Sequence, residues 1–388
     1  KITIVGGPVQ QLHNLAISYR PKKDGEQRKE AKATDTLKPW FDFIVIDEAS
    51  QVDVASSLLV FSKAASESAC VVAGDNLQLP PIHLAEAPED LASLVGSLYG
   101  FMVDHHGLSP ASLEINYRSS APLVEFTKQA GYAHLQSHSP NLQLNFLHPI
   151  PSQQPPNWPS AFVWTPDLAK LLRADEPGVS FIYEDDISSQ ANQFEADIVA
   201  SLLWLLYGRL DKQLSSELYE NGIAKTSTGI IHTPAEFWRR AVGVVAPHRA
   251  QVSKIVSRTQ LMFQSSGHPT SGIREAVDTV ERFQGQQRDI IVASFGLGDP
   301  DVIQGEDEFL YNLNRFNVMA SRARAKLIVL ATRNVADHLA NDQEVLKESG
   351  LLKHFIESYC DKLEPLRLGY TNGATTERRD GQLRLKRM

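Results

Sequence analysis

The sequence predicts an α/β protein with parallel sheets, in about two domains. Short apolar, β-branched runs alternate with segments of helical pattern, as in residues 43–46, 54–65 and 68–73. Strands that alternate with helices in this way build parallel sheets. The 388 residues are 42% hydrophobic and 22% charged. That is an ordinary globular composition, long enough for about two cores. No apolar run approaches the ~20 residues of a membrane span. Cys70 and Cys360, the only two cysteines, are far apart in sequence. They give neither a metal pattern nor a disulfide framework, and they suit a reducing cytoplasm, or a nucleus. The formal net charge is -8, so a nucleic-acid partner needs a local basic surface rather than a global one.

Taken in order, residues 1–5 read as a strand, closed by a turn at Gly6, Gly7 and Pro8. Residues 10–19 have a short helical pattern. Residues 20–38 are charged and almost without large apolar side chains, which reads as an exposed loop. The stretch from Phe41 to Ser50 organises the rest. Its apolar run at 43–46 is expected to be a strand buried on both faces. Asp47 and Glu48 follow at its carboxyl end, where parallel sheets bind ligands. Acids there are costly unless they hold a metal or a water. The alternative is a strand end with a helix N-cap at Asp47 or Ser50. Residues 54–65 read as a helix and 68–73 as a second buried strand. The latter runs into Gly74, Asp75, Gln78, Pro80 and Pro81, where two prolines forbid a helix. Residues 91–103 are helical in pattern.

The short apolar run 111–115 leads into Asn116, Tyr117 and Arg118. Residues 134–177 contain Pro151, Pro155, Pro156 and Pro159 among polar residues, and read as a peripheral surface excursion or insertion. Strands are expected at 179–183, 241–246, 289–294 and 326–331. Helices are expected at 192–207, 251–262 and 312–322. Residues 366–388, with Arg378, Arg379, Arg384, Lys386 and Arg387, read as a basic, solvated tail, with nucleic-acid contact as the alternative.

Six motifs then appear in order: Asp47-Glu48-Ala49-Ser50; Gly74-Asp75 with Gln78 and Pro80-Pro81; Asn116-Tyr117-Arg118; Pro247-His248 with Gln251; Phe283-Gln284-Gly285; and Asn317 with Arg322 and Arg324. The ordered set resembles the superfamily 1 helicases, in the branch that contains the nonsense-mediated-decay RNA helicase and the Okazaki-fragment nuclease-helicase. The resemblance implies two RecA-like domains, at 1–112 and 113–365, with the first incomplete on its N-terminal side. It implies ATP between them and single-stranded DNA or RNA across both. By resemblance, Asp47 holds Mg²⁺ through water, Glu48 activates the attacking water and Gln78 senses the γ-phosphate. Arg118 and Arg322 are arginine fingers, Tyr117 stacks on adenine, and Gly285 and Gln287 meet the nucleotide. Gly6, Gly7, Pro8, Pro247, His248 and Thr279 line the strand. The physical logic agrees. Phosphoryl transfer is mostly positioning and charge neutralisation, and the arginine fork matches phosphate oxygens. Surface salt bridging is the alternative for both arginines, and Arg324 reads as structural or as a secondary phosphate contact.

The chain departs from the family in two places. It contains no Gly-Lys-Ser or Gly-Lys-Thr, so the phosphate-cradling loop is missing. The expectation is a later part of a longer protein with further domains, and the alternative is a degenerate ATPase. Gln287 stands where the family often has a ribose-binding glutamate. The resemblance implies an ATP-driven helicase or translocase moving 5′ to 3′. The alternative is a nucleotide-gated switch or scaffold that binds nucleic acid without unwinding it.

Overall fold

The structure, a computed structural model, describes residues 4–9, 11–12, 41–81, 95–215 and 227–388. The loop expected at 20–38 lies outside them, as do most of the helix expected at 10–19 and the beginning of the one at 91–103. Residues 4–8 form no strand. The chain divides into two compact units, Lys1–Ser112 and Leu113–Met388.

In the first unit, β1 (Phe41–Ile46) pairs in parallel with β2 (Ala64–Val72). Between them in sequence lies α1 (Val54–Phe61), started by Asp53, whose carboxylate accepts from Ser56 N at 2.7 Å, the usual work of an N-cap aspartate. The expected burial of β1 on both faces is corrected. Ile44 and Ile46 are each 6% exposed, but Phe43 is 58% and Val45 60% exposed. Successive side chains of a strand point to opposite faces. Only one face is covered among the described residues, by a small core of Ala49, Val60 and Leu98.

The second unit opens with β3 (Ile115–Asn116), paired in parallel with β4 (Gln136–Ser137). Between them lies α2 (Ala121–Lys128). The main strands are β5 (Gly178–Tyr183), β6 (Val242–Ala246), β7 (Val277–Thr279), β8 (Arg288–Ser294), β9 (Ala323–Thr332), β10 (Lys362–Asn372) and β11 (Thr375–Lys386). They form a 7-stranded sheet in the order β10-β11-β5-β9-β8-β6-β7. The β5-β9-β8-β6-β7 portion is parallel throughout, and β10 and β11 extend it as an antiparallel hairpin beyond β5. Helices α3 (Gln193–Leu206), α4 (Arg249–Ser265) and α5 (Leu313–Ser321) pack with the sheet. Every residue of β5, β6 and β8 is buried, which is why these strands read as continuous apolar runs.

Two expectations fail here. The expected tail at 366–388 is mostly the hairpin, and Leu366, Leu368, Leu383 and Leu385 are all 0% exposed. Arg367, Arg384 and Lys386 alternate with these leucines, so the basic residues conceal a period-2 strand pattern. The stretch 134–177 is not peripheral either. Leu142, Leu144, Phe162, Leu168, Leu171 and Leu172 belong to the main core. No described helix is long and apolar enough to cross a membrane.

Candidate functional site

The acidic pair sits where two loops of the first unit meet. Ala73 N donates to Ile46 O at 2.8 Å and Ala49 N to Ala73 O at 2.8 Å, so the β1–β2 pairing continues past both strand ends. At Gly74 an added Cβ would lie 2.8 Å from Ser50 N and 3.1 Å from the Tyr99 ring, which excludes any larger residue. Glu48 has φ 53°. That left-handed conformation is rare outside glycine, and it persists where the surroundings impose it, often at functional sites. The exposed Asp47 accepts from Glu48 N through Oδ1 at 2.9 Å. Glu48 Oε2 accepts from Gln51 Nε2 at 3.1 Å. Gln78 Nε2 donates to Asp75 Oδ2 at 2.7 Å, and Ser50 Oγ accepts from Asp75 N at 3.3 Å. Asp47, Glu48 and Gln78 therefore share the carboxyl end of the β1–β2 pair. Gly7 and Pro8 line a cavity of about 510 Å³ together with Val45 and Asp47. Gly6 has nothing within 4 Å of its would-be Cβ.

In the second unit the predicted nucleotide residues gather at the amino edge of the sheet. Asn116 Oδ1 accepts from Arg118 N at 2.7 Å and from Ser119 N at 2.8 Å, a local turn of the kind asparagine favours. Tyr117 is left 72% exposed, with one ring face near His138 at a centroid distance of 4.6 Å. Arg118 Nε donates to Gln287 Oε1 at 3.2 Å and Nη1 to Ser321 O at 2.8 Å. Arg322, 2% exposed, donates through Nε to Val318 O at 3.1 Å and through Nη2 to Ser321 Oγ at 3.1 Å. Gly285 supplies the positive φ, 75°, of the turn before β8. Arg324 pairs with the buried Asp289 at 2.7 Å, in keeping with its structural reading.

The predicted strand residues lie at the opposite edge. Pro247 and His248 follow β6, and Thr279 ends β7. The His248 ring is turned inward: Nε2 is 3.0 Å from Glu306 Oε2, and the ring lies 5.4 Å from that of Phe309. Burial, with Arg315 nearby, holds the imidazole below the ordinary histidine value against the pull of Glu306. His138 and Glu195 were not singled out in the sequence. Glu195 had a signal, because Asn192 followed by a glutamate three residues on is close to a capping-box signature. Asn192 Oδ1 does accept from Glu195 N at 2.9 Å.

The first unit thus carries an acidic strand end, and the second an arginine-bearing sheet edge. An AAA domain family model matches residues 94–334, and a second AAA domain model matches residues 28–86. The chain is 26% identical over 331 residues to DNA-binding protein SMUBP-2 of Mesocricetus auratus, covering 84% of this chain and 28% of that protein. It is 26% identical over 336 residues to the DNA replication ATP-dependent helicase/nuclease DNA2 of Mus musculus, covering 81% and 28%. An ATP-dependent helicase of Methanocaldococcus jannaschii is 28% identical over 304 residues, covering 78% and 38%. The chain belongs to the AAA-domain superfamily 1 helicases, in the branch of SMUBP-2 and DNA2. It spans well under half the length of these relatives.

Proposed function

We propose that this chain is the motor core of an ATP-hydrolysing helicase or translocase that moves 5′ to 3′ on single-stranded DNA or RNA. The separation of residues within Leu113–Met388 supports this reading most. Arg118, Gln287 and Arg322 stand at the amino edge of a parallel sheet, and Pro247 and Thr279 at its carboxyl edge. A motor needs a nucleotide site and a strand site joined by a rigid element, and candidates for the two at opposite edges of one sheet support that reading. The relatives' names, DNA-binding protein and ATP-dependent helicase, support the partner and the fuel.

The residues fit Mg²⁺ and ATP. Mg²⁺ takes oxygen ligands and keeps several waters, needing only one or two carboxylates beside the phosphates. The exposed Asp47 next to Glu48 offers that, and no larger cage of His, Cys, Asp or Glu occurs among the described residues. Bound there, the ion would neutralise charge on the β- and γ-phosphates. Asp47 would hold it through water. Glu48 would accept the proton of the attacking water, and Gln78 would contact the γ-phosphate. Arg118 and Arg322 would meet the charge that develops on the transferring group. Tyr117 would offer its open face to adenine, and Gly285 and Gln287 would hold the nucleotide. Gly6, Gly7, Pro8, Pro247, His248 and Thr279 would meet the strand mostly through backbone groups and hydroxyls, so sequence would not be read.

The test is ATP turnover of the complete protein with and without a single-stranded oligonucleotide, beside strand affinity measured across salt. Turnover should rise with strand, and affinity should fall steeply with salt as phosphate contacts release counterions. Strand binding without any stimulation would favour the switch reading. A flat salt dependence would remove the strand from the account.

A further inference from the structure

Three loops at the carboxyl edge of the large sheet are tied together by buried polar groups. Glu195, in the first turn of α3, is 0% exposed, although a carboxylate in the interior is costly unless its oxygens are occupied. Oε1 accepts from the Tyr183 hydroxyl on β5 at 2.9 Å. Oε2 accepts from Ser294 Oγ, at the end of β8, at 2.5 Å, and from Gly296 N, in the loop that follows, at 3.0 Å. Ser294 Oγ in turn accepts from Gln251 Nε2 at 2.8 Å, and Gln251 Oε1 accepts from Asn192 N at 2.8 Å. Gln251 is 0% exposed and sits in the first turn of α4, just after Pro247 and His248. The loop after β8 presses on it so closely that a Cβ at Gly296, φ +72°, would lie 2.8 Å from Gln251 Cδ. The loop after β5 closes the ring. Asn192 Nδ2 donates to Asp185 Oδ2 at 3.0 Å and to Ser188 Oγ at 2.9 Å, and Gly298 N donates to Ser188 O at 2.6 Å.

Shape alone would be served there by an apolar residue. A carboxyl group stands there instead: burial pushes it up to about 7, while the Ser294, Tyr183 and Gly296 donors favour its charged, purely accepting form. Its donors come from two elements: Tyr183 lies in the core, whereas Ser294 and Gly296 begin a loop. We infer that Glu195 is a positioning residue for strand binding, which holds the loop after β6 in its receiving shape through Ser294, Gln251 and the buried loop after β8. This rests on the proposed strand interface at Pro247 and Thr279.

The two sides of the carboxylate allow a test that a purely structural role would fail. Tyr183→Phe removes the core-side donor and leaves the loop bonds. Glu195→Gln keeps the volume but turns an NH₂ toward groups that are themselves donors. Ser294→Ala removes the loop-side hydroxyl, and Ser294→Thr restores one. Affinity for a fluorescently labelled single-stranded oligonucleotide, DNA and RNA in separate titrations, is measured beside the unfolding temperature of each variant. Glu195→Gln and Ser294→Ala should weaken binding roughly tenfold, as loss of a buried hydrogen bond that sets a loop's shape implies. Ser294→Thr should stay near wild type. Tyr183→Phe should lower the unfolding temperature yet leave affinity within about twofold. If Glu195→Gln does not fold, the serine pair decides. Affinity that merely follows stability across all variants overturns the inference. Thr279→Ala separates the two failures. If it weakens binding while Glu195→Gln and Ser294→Ala do not, the positioning role is wrong and the interface stands. If it has no effect, or the wild type binds no strand, the interface reading fails and the positioning role falls with it.

Discussion

Replacing Arg118 with Ala removes a guanidinium that donates to Gln287 Oε1 at 3.2 Å and to Ser321 O at 2.8 Å. Both contacts lie near enough to solvent for water to substitute, so the stability cost should be about 1 kcal/mol. Arg322 is different. It is 2% exposed, and Val318 O and Ser321 Oγ accept from it in the interior. Arg322→Ala would leave those acceptors short of a donor beside a new void, at a cost of roughly 2–4 kcal/mol. In a unit of this size that is on the order of 5–15 °C in unfolding temperature. If both arginines act as fingers, each should also cost about a thousandfold in turnover. ATP affinity should stay within about tenfold, because the lost contact is made mainly in the transition state. Strand-stimulated ATPase kinetics, nucleotide affinity and thermal unfolding of the complete protein separate these effects. Arg118→Ala should be slow but stable. Arg322→Lys should recover stability without recovering turnover, since lysine lacks the planar fork. Combining the two should be barely worse than either if they work as one unit. Normal turnover of Arg118→Ala at saturating ATP would refute the finger role.

Three further outcomes are expected. Glu48→Gln should abolish hydrolysis in the complete protein and preserve ATP binding, because Asp47 remains while the base is lost; unchanged turnover would exclude Glu48 as the base. Leu385→Ala and Leu171→Ala, both at positions 0% exposed, should each cost about 2–5 kcal/mol in urea unfolding, and costs near zero would return the hairpin and the 134–177 stretch to the periphery. Burial pushes Lys326 down from 10.5 to about 7, against the pull of Glu176 and Asp175; the folded chain gives up this proton more readily than the unfolded chain, so the penalty is full below pH 7 and fades toward pH 10.5. The wild type should therefore gain stability relative to Lys326→Met as pH rises above 7, by about 1.4 kcal/mol per pH unit at most, whereas a difference that does not vary with pH would place the lysine's proton elsewhere.

Much of the element order was legible because strands buried on both faces announce themselves. β5, β6, β8 and β9 each carry a short, mostly apolar run, such as residues 290–293 and 327–331, of strand rather than helix length. β1 has the same kind of run, yet its second face is exposed; composition cannot say whether a neighbouring layer is present. The hairpin failed for the opposite reason. Leu366, Leu368, Leu383 and Leu385 are buried, but arginine and lysine at the alternating positions dominated the reading, and long basic side chains suit the solvent face of a strand as well as a tail. In the 134–177 stretch the prolines hid Leu168, Leu171 and Leu172, which reach the core. Among candidate site residues, the ordered motifs brought out Asp47, Glu48, Gln78, Arg118 and Arg322. Glu195 did not emerge, because its partners Ser294 and Gly296 are remote in sequence and only the fold brings them to it.

What the motifs alone did not state is on which edge of the sheet each residue would stand. That follows once the strands are known to be parallel. Residues that precede a strand then gather at one edge, and residues that follow one gather at the other. Gly285 and Gln287 precede β8, and Arg322 precedes β9. Pro247 follows β6, and Thr279 ends β7. The nucleotide and strand candidates therefore separate by the length of a strand. β8 has 7 residues, and at about 3.3 Å per residue its ends lie roughly 20 Å apart. Its amino end adjoins Gln287 in the arginine cluster, and at its carboxyl end Ser294 donates to Glu195. A strand buried along its whole length, with hydrogen-bonded neighbours on both sides, resists bending. In the proposed motor, a shift imposed at one end would be passed to the other rather than absorbed within the sheet. If the proposed sites are right, coupling between nucleotide and strand would require no rearrangement of the sheet itself. It would require groups at the far end of β8 that convert a small displacement into a change of loop shape, and the Glu195–Ser294–Gln251 network stands at that end.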